Sequence, residues 1–445
     1  MPLAQRIVGA PFYRRYSDLL ESQFFGAERL RQTQTEKLRV LLRQAFLTVP
    51  FYRQFSKESG CKVEDLREIE DLKKLPVVTK DMIRNSKLEN WIADNAPRST
   101  WRMNSTSGTT GKPFQFVMND ELVAMRYGRY LRANAWAGIL PGKFCVRIWG
   151  PKQWYVRTGI RLVLRIKVLS AFEMTDKAME GYVRFLRDHP VPGIEAYTSA
   201  AVTLARYILR RGYDNLHVPL IATAGETLFP EHRKQIEAAF HGKVLSRYGC
   251  REFGLIAQEC SAQKGLHINQ ESFIVEYLPG DQQWTDGIPR GKVLITNLDN
   301  HTMPFIRYQL GDLASPIPGA CPCGRQLSMM DHPHGRVVDY LLTIEGKAVS
   351  VHFFTLLFRG YTGEVREFQI RQKSPDEIRV LLVPYSTWTD AKALRLERDI
   401  RRHLGNRVRL KIEPVDDIPL DPGGKRKILV NEMVLGRQTS REGTQ

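Results

Sequence analysis

Between Asp120 and Ser246 the chain repeats one pattern: a stretch with helical character, a short apolar run, then another helical stretch. The spacing predicts helices over 120–136, 176–188, 199–211 and 230–240, with short buried strands over 144–149, 220–223 and 244–246. Strands that read as continuous apolar runs are buried on both faces, and helices between them supply the cover, so the pattern predicts an α/β fold with substantial parallel sheet. Upstream, Leu38, Leu41, Leu42, Ala45, Phe46 and Val49 recur at helical spacing, and Pro50 closes that run. Downstream, 291–298 reads as a strand, and the texture after Gly335-Arg336 becomes strand, helix, strand over 367–372, 379–383, 389–404 and 407–413. A chain of 445 residues exceeds the about 250–300 residues at which single cores stop growing, so two folding units are expected.

Hydrophobic residues at 42% and aromatics at 10% are enough for a sizeable core and exclude disordered or low-complexity architectures. With 66 Lys plus Arg against 48 Asp plus Glu, the formal charge is +18. That balance favours a polyanionic partner, leaving nucleotide, coenzyme, nucleic acid and anionic lipid open. The N-terminus reaches Arg14-Arg15 without an apolar core, so secretion is not expected. The apolar stretch 159–172 contains Arg161, Arg165 and Lys167 and is too short to span a bilayer. It reads as a helix face covering the core, with an anionic membrane surface as the alternative. A transmembrane helix is not expected. Six cysteines in this length argue for a reducing compartment, by default the cytoplasm.

The most informative segment is Ser105-Thr106-Ser107-Gly108-Thr109-Thr110-Gly111-Lys112-Pro113, ahead of the apolar run 114–117. Glycines let the backbone approach an anion, successive amides and hydroxyls donate, and Lys112 adds positive charge, so the segment reads as a phosphate loop. It is not the Gly-x-x-x-x-Gly-Lys-Ser/Thr loop, because the spacing differs and Pro113 stands where a hydroxyl would bind magnesium.

This segment closely resembles the phosphate loop of adenylate-forming enzymes. Further segments follow in that superfamily's order: Ala224-Gly225-Glu226, Tyr248-Gly249-Cys250-Arg251-Glu252, Arg307-Tyr308-Gln309-Leu310-Gly311-Asp312, Gly335-Arg336-Val337-Val338-Asp339, and 419–425 ending Gly423-Gly424-Lys425. Leu75-Pro76-Val77-Val78-Thr79-Lys80, Gly265-Leu266-His267-Ile268-Asn269 and Cys321-Pro322-Cys323-Gly324-Arg325 make the chain most similar to the phenylacetate-CoA ligase branch and its capsule-biosynthesis (CapK-like) relatives. The resemblance covers nearly the whole chain.

The resemblance implies a large multi-sheet adenylation core over 1–335, a small mobile α+β lid over 336–445, and ATP held between them. It implies that Glu252 ligates Mg2+, a role suited to a hard carboxylate oxygen. Asp312 would accept the ribose hydroxyls, with turn capping as the competing reading. Gly225, Glu226, Tyr248 and Gly249 would frame the adenine, and Tyr248 offers a stacking face. Lys425 would be the catalytic lysine, approaching the carboxylate and α-phosphate as charge builds; Arg336 would pair with AMP or phosphate oxygens near the pivot. Two departures stand out. Val338 occupies a position that is often acidic, and Arg251 replaces the usual hydroxyl residue before the magnesium glutamate.

Cys260, His267, Cys321 and Cys323 form a Cys-x6-His and Cys-x-Cys set. Three thiolates and an imidazole suit closed tetrahedral zinc of structural type, the alternative being reduced buried cysteine. The expected reaction is attack of a carboxylate on the α-phosphate of ATP, releasing pyrophosphate, then acyl transfer to a thiol, with coenzyme A the first-choice acceptor. Amide formation or carrier-protein loading through the same acyl-AMP is the alternative; a non-catalytic nucleotide or nucleic-acid binder is a reading of another class. The acid pocket is expected between the loop and Tyr248, with Trp149, Trp154 and Tyr197 as candidates and aromatic acids as the first guess. A nucleic-acid partner is not expected, and the chain is read as a monomer or homodimer.

Overall fold

The computed structural model describes residues 12–106, 114–149, 165–171, 174–279, 288–333, 340–342, 344, 348–350, 354, 357–358, 360–361, 363–405, 407–418 and 428–432. The chain divides into two compact units. The first comprises Met1–Glu276, Val293–Leu310 and Pro316–His332; the second Tyr277–Lys292, Gly311–Ser315 and Pro333–Gln445.

In the first unit the helices are α1 (Phe12–Ser22), α2 (Ala27–Thr48), α3 (Pro50–Ser59), α4 (Lys80–Arg84), α5 (Asp120–Trp136), α6 (Asp176–Asp188), α7 (Thr198–Arg211) and α8 (Pro230–Phe240). The apolar face anticipated on α2 is buried: Leu38, Leu41 and Leu42 pack with Leu66, Leu72, Leu75 and Ile306. Pro50 plays two parts. It stops α2 for want of an N–H and then opens α3 at its first turn, where that N–H is not needed.

The strands run β1 (Arg102–Thr106), β2 (Phe114–Met118), β3 (Cys145–Trp149), β4 (Ile166–Ser170), β5 (Ile194–Tyr197), β6 (Leu220–Ala224), β7 (Lys243–Cys250), β8 (Gly254–Glu259), β9 (Leu266–Ile268), β10 (Phe273–Pro279), β11 (Gly291–Asn297), β12 (Tyr308–Ala314), β13 (Pro316–Ile317) and β14 (Met329–Met330). The main sheet has the order β13-β14-β9-β8-β7-β6-β5-β3-β4. From β4 to β7 neighbouring strands are parallel; from β7 to β13 they alternate in direction. Helices α6, α7 and α8 fill the crossovers and bury one face, where Val146, Ile148, Ile194, Ile221 and Val244 meet Leu186, Leu204, Ile208 and Ile236. A β-strand sends successive side chains to opposite faces, so Arg147, Glu195 and Arg247 project to the other face, where α5 supplies Tyr130 and Asn134.

The stretch 159–172 does not form the expected helix face where it is described. Ile166–Ser170 is the edge strand β4, with Val168 and Leu169 buried and Lys167 exposed. A short run carrying β-branched Ile166 and Val168 suits a pleated edge better than a helical stripe. The four-residue strand β5 follows the Pro- and Gly-rich turn 189–193 and runs directly into α7, which leaves too few residues to show a period.

The second unit is α+β. Strands β15 (Tyr340–Leu342) and β16 (Ala348–Ser350) form a hairpin. Strands β17 (Val365–Ser374), β18 (Glu377–Pro384), β19 (Arg409–Pro414) and β20 (Leu429–Asn431) form a sheet ordered β19-β18-β17-β20, and α9 (Asp390–Leu404) links β18 to its parallel neighbour β19. Ile378, Val380, Leu382, Leu396, Ile400 and Leu404 are buried. Among the described residues, no helix is long and apolar enough to cross a membrane.

Candidate active site

The parallel strands all end on one edge of the main sheet, and two of the sequence motifs sit there. Trp149 closes β3, Tyr197 closes β5, Gly225-Glu226 follows β6, and Tyr248 to Glu252 lies at the end of β7. In open α/β sheets the crevice outside the carboxyl ends of parallel strands is where ligands bind. Gly225 turns the chain at φ +83, a conformation that glycine adopts without penalty. Gly249 is required by crowding: a Cβ there would stand 2.3 Å from the carbonyl oxygen of Gly254 across the hairpin.

Glu252 occupies the turn between antiparallel β7 and β8. Hairpin tips are ordinarily wet, yet this residue is 3% exposed. Its carboxylate lies 3.3 Å from Lys80 Nζ and accepts from the Tyr308 hydroxyl at 3.2 Å. Burial and the neighbouring carboxylate hold the Tyr308 phenol well above its ordinary range, so the hydroxyl stays a donor. The same two causes push the Cys250 thiol up, so Cys250 is no nucleophile at neutral pH. A single buried carboxylate among donors, rather than a cage of carboxylates, is the donor set Mg2+ uses when phosphates complete its shell.

Helix α5 grips this turn on both sides. Arg126 Nη1 donates to the carbonyl of Arg251 at 3.0 Å, and Arg129 Nη2 to that of Phe253 at 2.9 Å. Arg129 is itself fixed to Asp299 at 2.7 Å. Arg251, which departs from the family pattern, donates to Ser105 O at 3.2 Å and Asn104 Oδ1 at 3.3 Å. It ties the turn to β1, which pairs with β2 up to Thr106 and Phe114. Ser105 and Thr106 end β1 at the start of the segment read as a phosphate loop, and Arg251 joins Ser105 to the Glu252 turn. Ser107, Gly108, Thr109, Thr110, Gly111 and Lys112 lie outside the described residues, as do Arg336, Lys425 and Trp154.

Glu226 already has work to do. Its carboxylate accepts from Ser199 N at 2.6 Å and Ser199 Oγ at 2.9 Å, capping the start of α7. Trp149 and Tyr197 stack with centroids 4.0 Å apart. Beneath them Arg147 and Arg247 both reach Glu195. Ala222 and Ala224 on the intervening strand are small, which leaves room for that crossing. Burial works against ionised Glu195, but the two guanidiniums hold its carboxyl below the usual range. Asp312 lies on β12 beyond Tyr308, in the Gly311–Ser315 stretch that groups with the second unit.

The four expected metal ligands converge. The ligand atoms of Cys260, His267, Cys321 and Cys323 lie within 4.8 Å of one another. Cys260 Sγ is 3.6 Å from Cys321 Sγ, and Cys323 Sγ 3.4 Å from His267 Nε2. The His267 Nδ1 faces the Leu327 carbonyl at 3.2 Å and must donate to it, which leaves the Nε2 lone pair directed at the thiols. Burial lowers the His267 pKa, keeping the ring neutral as a ligand requires. Burial also pushes the Cys260 thiol up to about 12, a cost that a bound cation would relieve.

Sequence reasoning gave no role to Lys80, Tyr308, Arg126 or Arg129. Lys80 lies in the segment 75–80, whose composition points to the branch and not to a contact with Glu252. The signal for the arginines was their spacing: Arg126, Arg129 and Arg132 recur every three residues along α5, where Arg129 and Arg132 fall among its buried residues, and buried arginines need carbonyl or carboxylate partners.

A family model described as the CapK C-terminal domain matches residues 341–432. The phenylacetate-coenzyme A ligase of Thermus thermophilus is 26% identical over 447 residues, with 92% of this chain and 98% of that protein covered. Protein CapK of Staphylococcus aureus is 24% identical, covering 86% and 85%. Among solved structures, 2-hydroxyisobutyryl-CoA ligase in the postadenylation state, in complex with R3-HIB-AMP, superposes with a TM-score of 0.74 at 20% identity, covering 94% of this chain and 93% of that one. A benzoate CoA ligase from Burkholderia xenovorans LB400 gives 0.51 at 15% identity, over 77% and 70%. At these identities the structures establish a common fold.

Proposed function

The chain belongs to the phenylacetate-CoA ligase and CapK-like branch of the adenylate-forming enzymes, and from that premise we propose how it works. It is an ATP-dependent acid–thiol ligase. A carboxylate oxygen attacks the α-phosphorus of ATP, the bond to the bridging oxygen breaks, and pyrophosphate leaves. The thiol of coenzyme A then attacks the acyl carbon, and AMP departs.

The observation that carries this reading is the buried Glu252 carboxylate at the carboxyl edge of the parallel strands, held by Lys80 and Tyr308 beside the flank of the phosphate loop. Two anions must meet in the first step, so the protein's task is to position them and offset their repulsion. When bound at Glu252, Mg2+ would neutralise phosphate charge. Lys112 and the loop amides would cradle the triphosphate, Asp312 the ribose, Gly225, Glu226, Tyr248 and Gly249 the adenine, and Arg336 and Lys425 the reacting phosphate. The large domain is taken as 1–335 and the lid as 336–445. The stacked Trp149 and Tyr197 would border the acid, which favours flat aromatic acids as first candidates.

Cys260, His267, Cys321 and Cys323 would hold structural zinc, tying the β8–β9 hairpin to the segment before β14. Six cysteines present as thiols fit a reducing compartment, the cytoplasm. The test is acid-dependent exchange of labelled pyrophosphate into ATP across a library of aromatic and hydroxy acids. Exchange with at least one acid, and coenzyme A-dependent thioester with the same acid, is the expected result. Exchange without thioester would redirect the second step to another acceptor; no exchange with any acid, alongside tight AMP binding, would favour a nucleotide binder.

A further inference from the structure

We infer that Lys80 is the resident counterion of Glu252, that it competes with a divalent cation for that carboxylate, and that it passes to the triphosphate when the metal–nucleotide complex arrives. The inference rests on the proposed role of Glu252.

Lys80 is placed by backbone structure, not by the reach of a flexible side chain. Val78 forms a parallel bridge with Tyr308, its N–H donating to Arg307 O at 3.1 Å and its carbonyl accepting from Gln309 N at 2.9 Å. Thr79 then caps α4 by accepting from Met82 N, and Lys80 is the first residue of that helix. The residue that the bridge holds, Tyr308, sends its hydroxyl to the same carboxylate that Lys80 faces. One local register therefore fixes both donors on one target. The target is 3% exposed at its side chain, whereas Lys80 is 33% exposed. A buried carboxylate requires a charged partner. The lysine can meet that need from the rim and still swing outward on its four-carbon stem.

A divalent cation at Glu252 brings two positive charges within a few ångströms of the ammonium. Their repulsion expels Lys80, whose three donors then have the phosphate oxygens of the incoming nucleotide within reach. The charge near Glu252 is balanced in both states, by the ammonium in one and by the metal in the other.

The full chain is titrated with Mn2+ alone, free Mn2+ being read by its paramagnetic resonance signal, for wild type, Lys80→Met, Glu252→Gln and the double variant. Lys80→Met is expected to tighten nucleotide-free Mn2+ binding by about 5-fold or more, and the double variant to abolish that gain. In pyrophosphate exchange Lys80→Met is expected to raise KM for ATP by about 10-fold, with Lys80→Arg recovering most of it. Unchanged or undetectable Mn2+ binding in Lys80→Met, a gain that survives Glu252→Gln, or an unaltered KM for ATP each overturns the inference. The Mn2+ arm does not depend on turnover. A tightened site in a protein that exchanges with no acid would uphold the counterion and refute the ligase; normal exchange with an indifferent Mn2+ titration would do the reverse.

Discussion

Arg129 donates to the carbonyl of Phe253 at 2.9 Å, one residue beyond Glu252, while Arg126, one helical turn earlier, does the same to Arg251, one residue before it. Two arginines on one face of α5 thus set where the buried carboxylate stands. They differ in what else depends on them. Arg129 neutralises Asp299, which is 2% exposed; Arg129→Leu leaves that buried charge only the longer contact to Lys37 at 3.7 Å and is expected to destabilise by about 3–5 kcal/mol, seen as a lower denaturation midpoint. Arg126 is half-buried, and burial brings its pKa down to about 10. Arg126→Gln should fold normally and lower kcat for exchange by about 10- to 100-fold, with a raised Mg2+ requirement and partial rescue by Arg126→Lys. A rate equal to wild type would show that the turn holds itself.

The helices α5, α6 and α8 were legible to the residue, because each spans several turns with a buried stripe. Strand β7 was legible only at its core. Val244 to Ser246 read as a strand, but pairing continues to Cys250 through Gly249, a residue whose presence reflects the opposite backbone and not its own propensity. Long-range partners were not legible for a related reason. Nothing local in Thr79-Lys80 points to Glu252, since the link runs through a bridge between Val78 and Tyr308. The Cys/His set was legible as residue types, and its convergence depended on the pairing of β9 with β14, which puts Met329 opposite His267. A second demand on Glu226 was not legible: its carboxylate accepts from the amide and hydroxyl of Ser199 at the start of α7.

The zinc reading predicts about one zinc per chain in protein purified without chelator, measured by atomic emission. Cys321→Ser should lose that metal and lower the melting temperature by at least ~5 °C, because the ligands join a hairpin to a segment some 60 residues away in sequence. Adding a strong chelator to wild type should produce the same shift and leave Cys321→Ser unmoved. Purified protein with no metal and an unaltered melting point in the variant would return the four residues to ordinary packing.

Glu195 offers a pH test. Its folded carboxyl is held below the ordinary range by Arg147 and Arg247 against the effect of burial. A depressed folded value stabilises the protein at pH above the unfolded value of about 4.3, and that contribution disappears as pH falls below it. Glu195→Gln leaves two guanidiniums facing each other beneath Trp149 and Tyr197. It should therefore cost about 3–5 kcal/mol at pH 7, and the gap between variant and wild type should narrow steadily below pH ~4. Urea midpoints across the range from pH 7 to 3 provide the check, and a gap that stays constant would mean that the ion pair contributes no charge-dependent stability.

Lys425 tests the chemistry from the other end of the chain. The first step brings a carboxylate against a triphosphate, and the negative charge on the α-phosphoryl oxygens rises as the new bond forms. A cation that is present only then helps the transition state more than the ground state, so its loss should appear in kcat and not in ATP binding. Lys425→Ala is expected to reduce pyrophosphate exchange by about 10²–10³-fold with KM for ATP within about 3-fold and an unchanged melting temperature. The thioester half-reaction, started from synthetic acyl-AMP and coenzyme A, does not build that charge and should proceed at close to the wild-type rate. If both half-reactions fall together, Lys425 serves the fold or the nucleotide generally; if neither falls, another group supplies the charge.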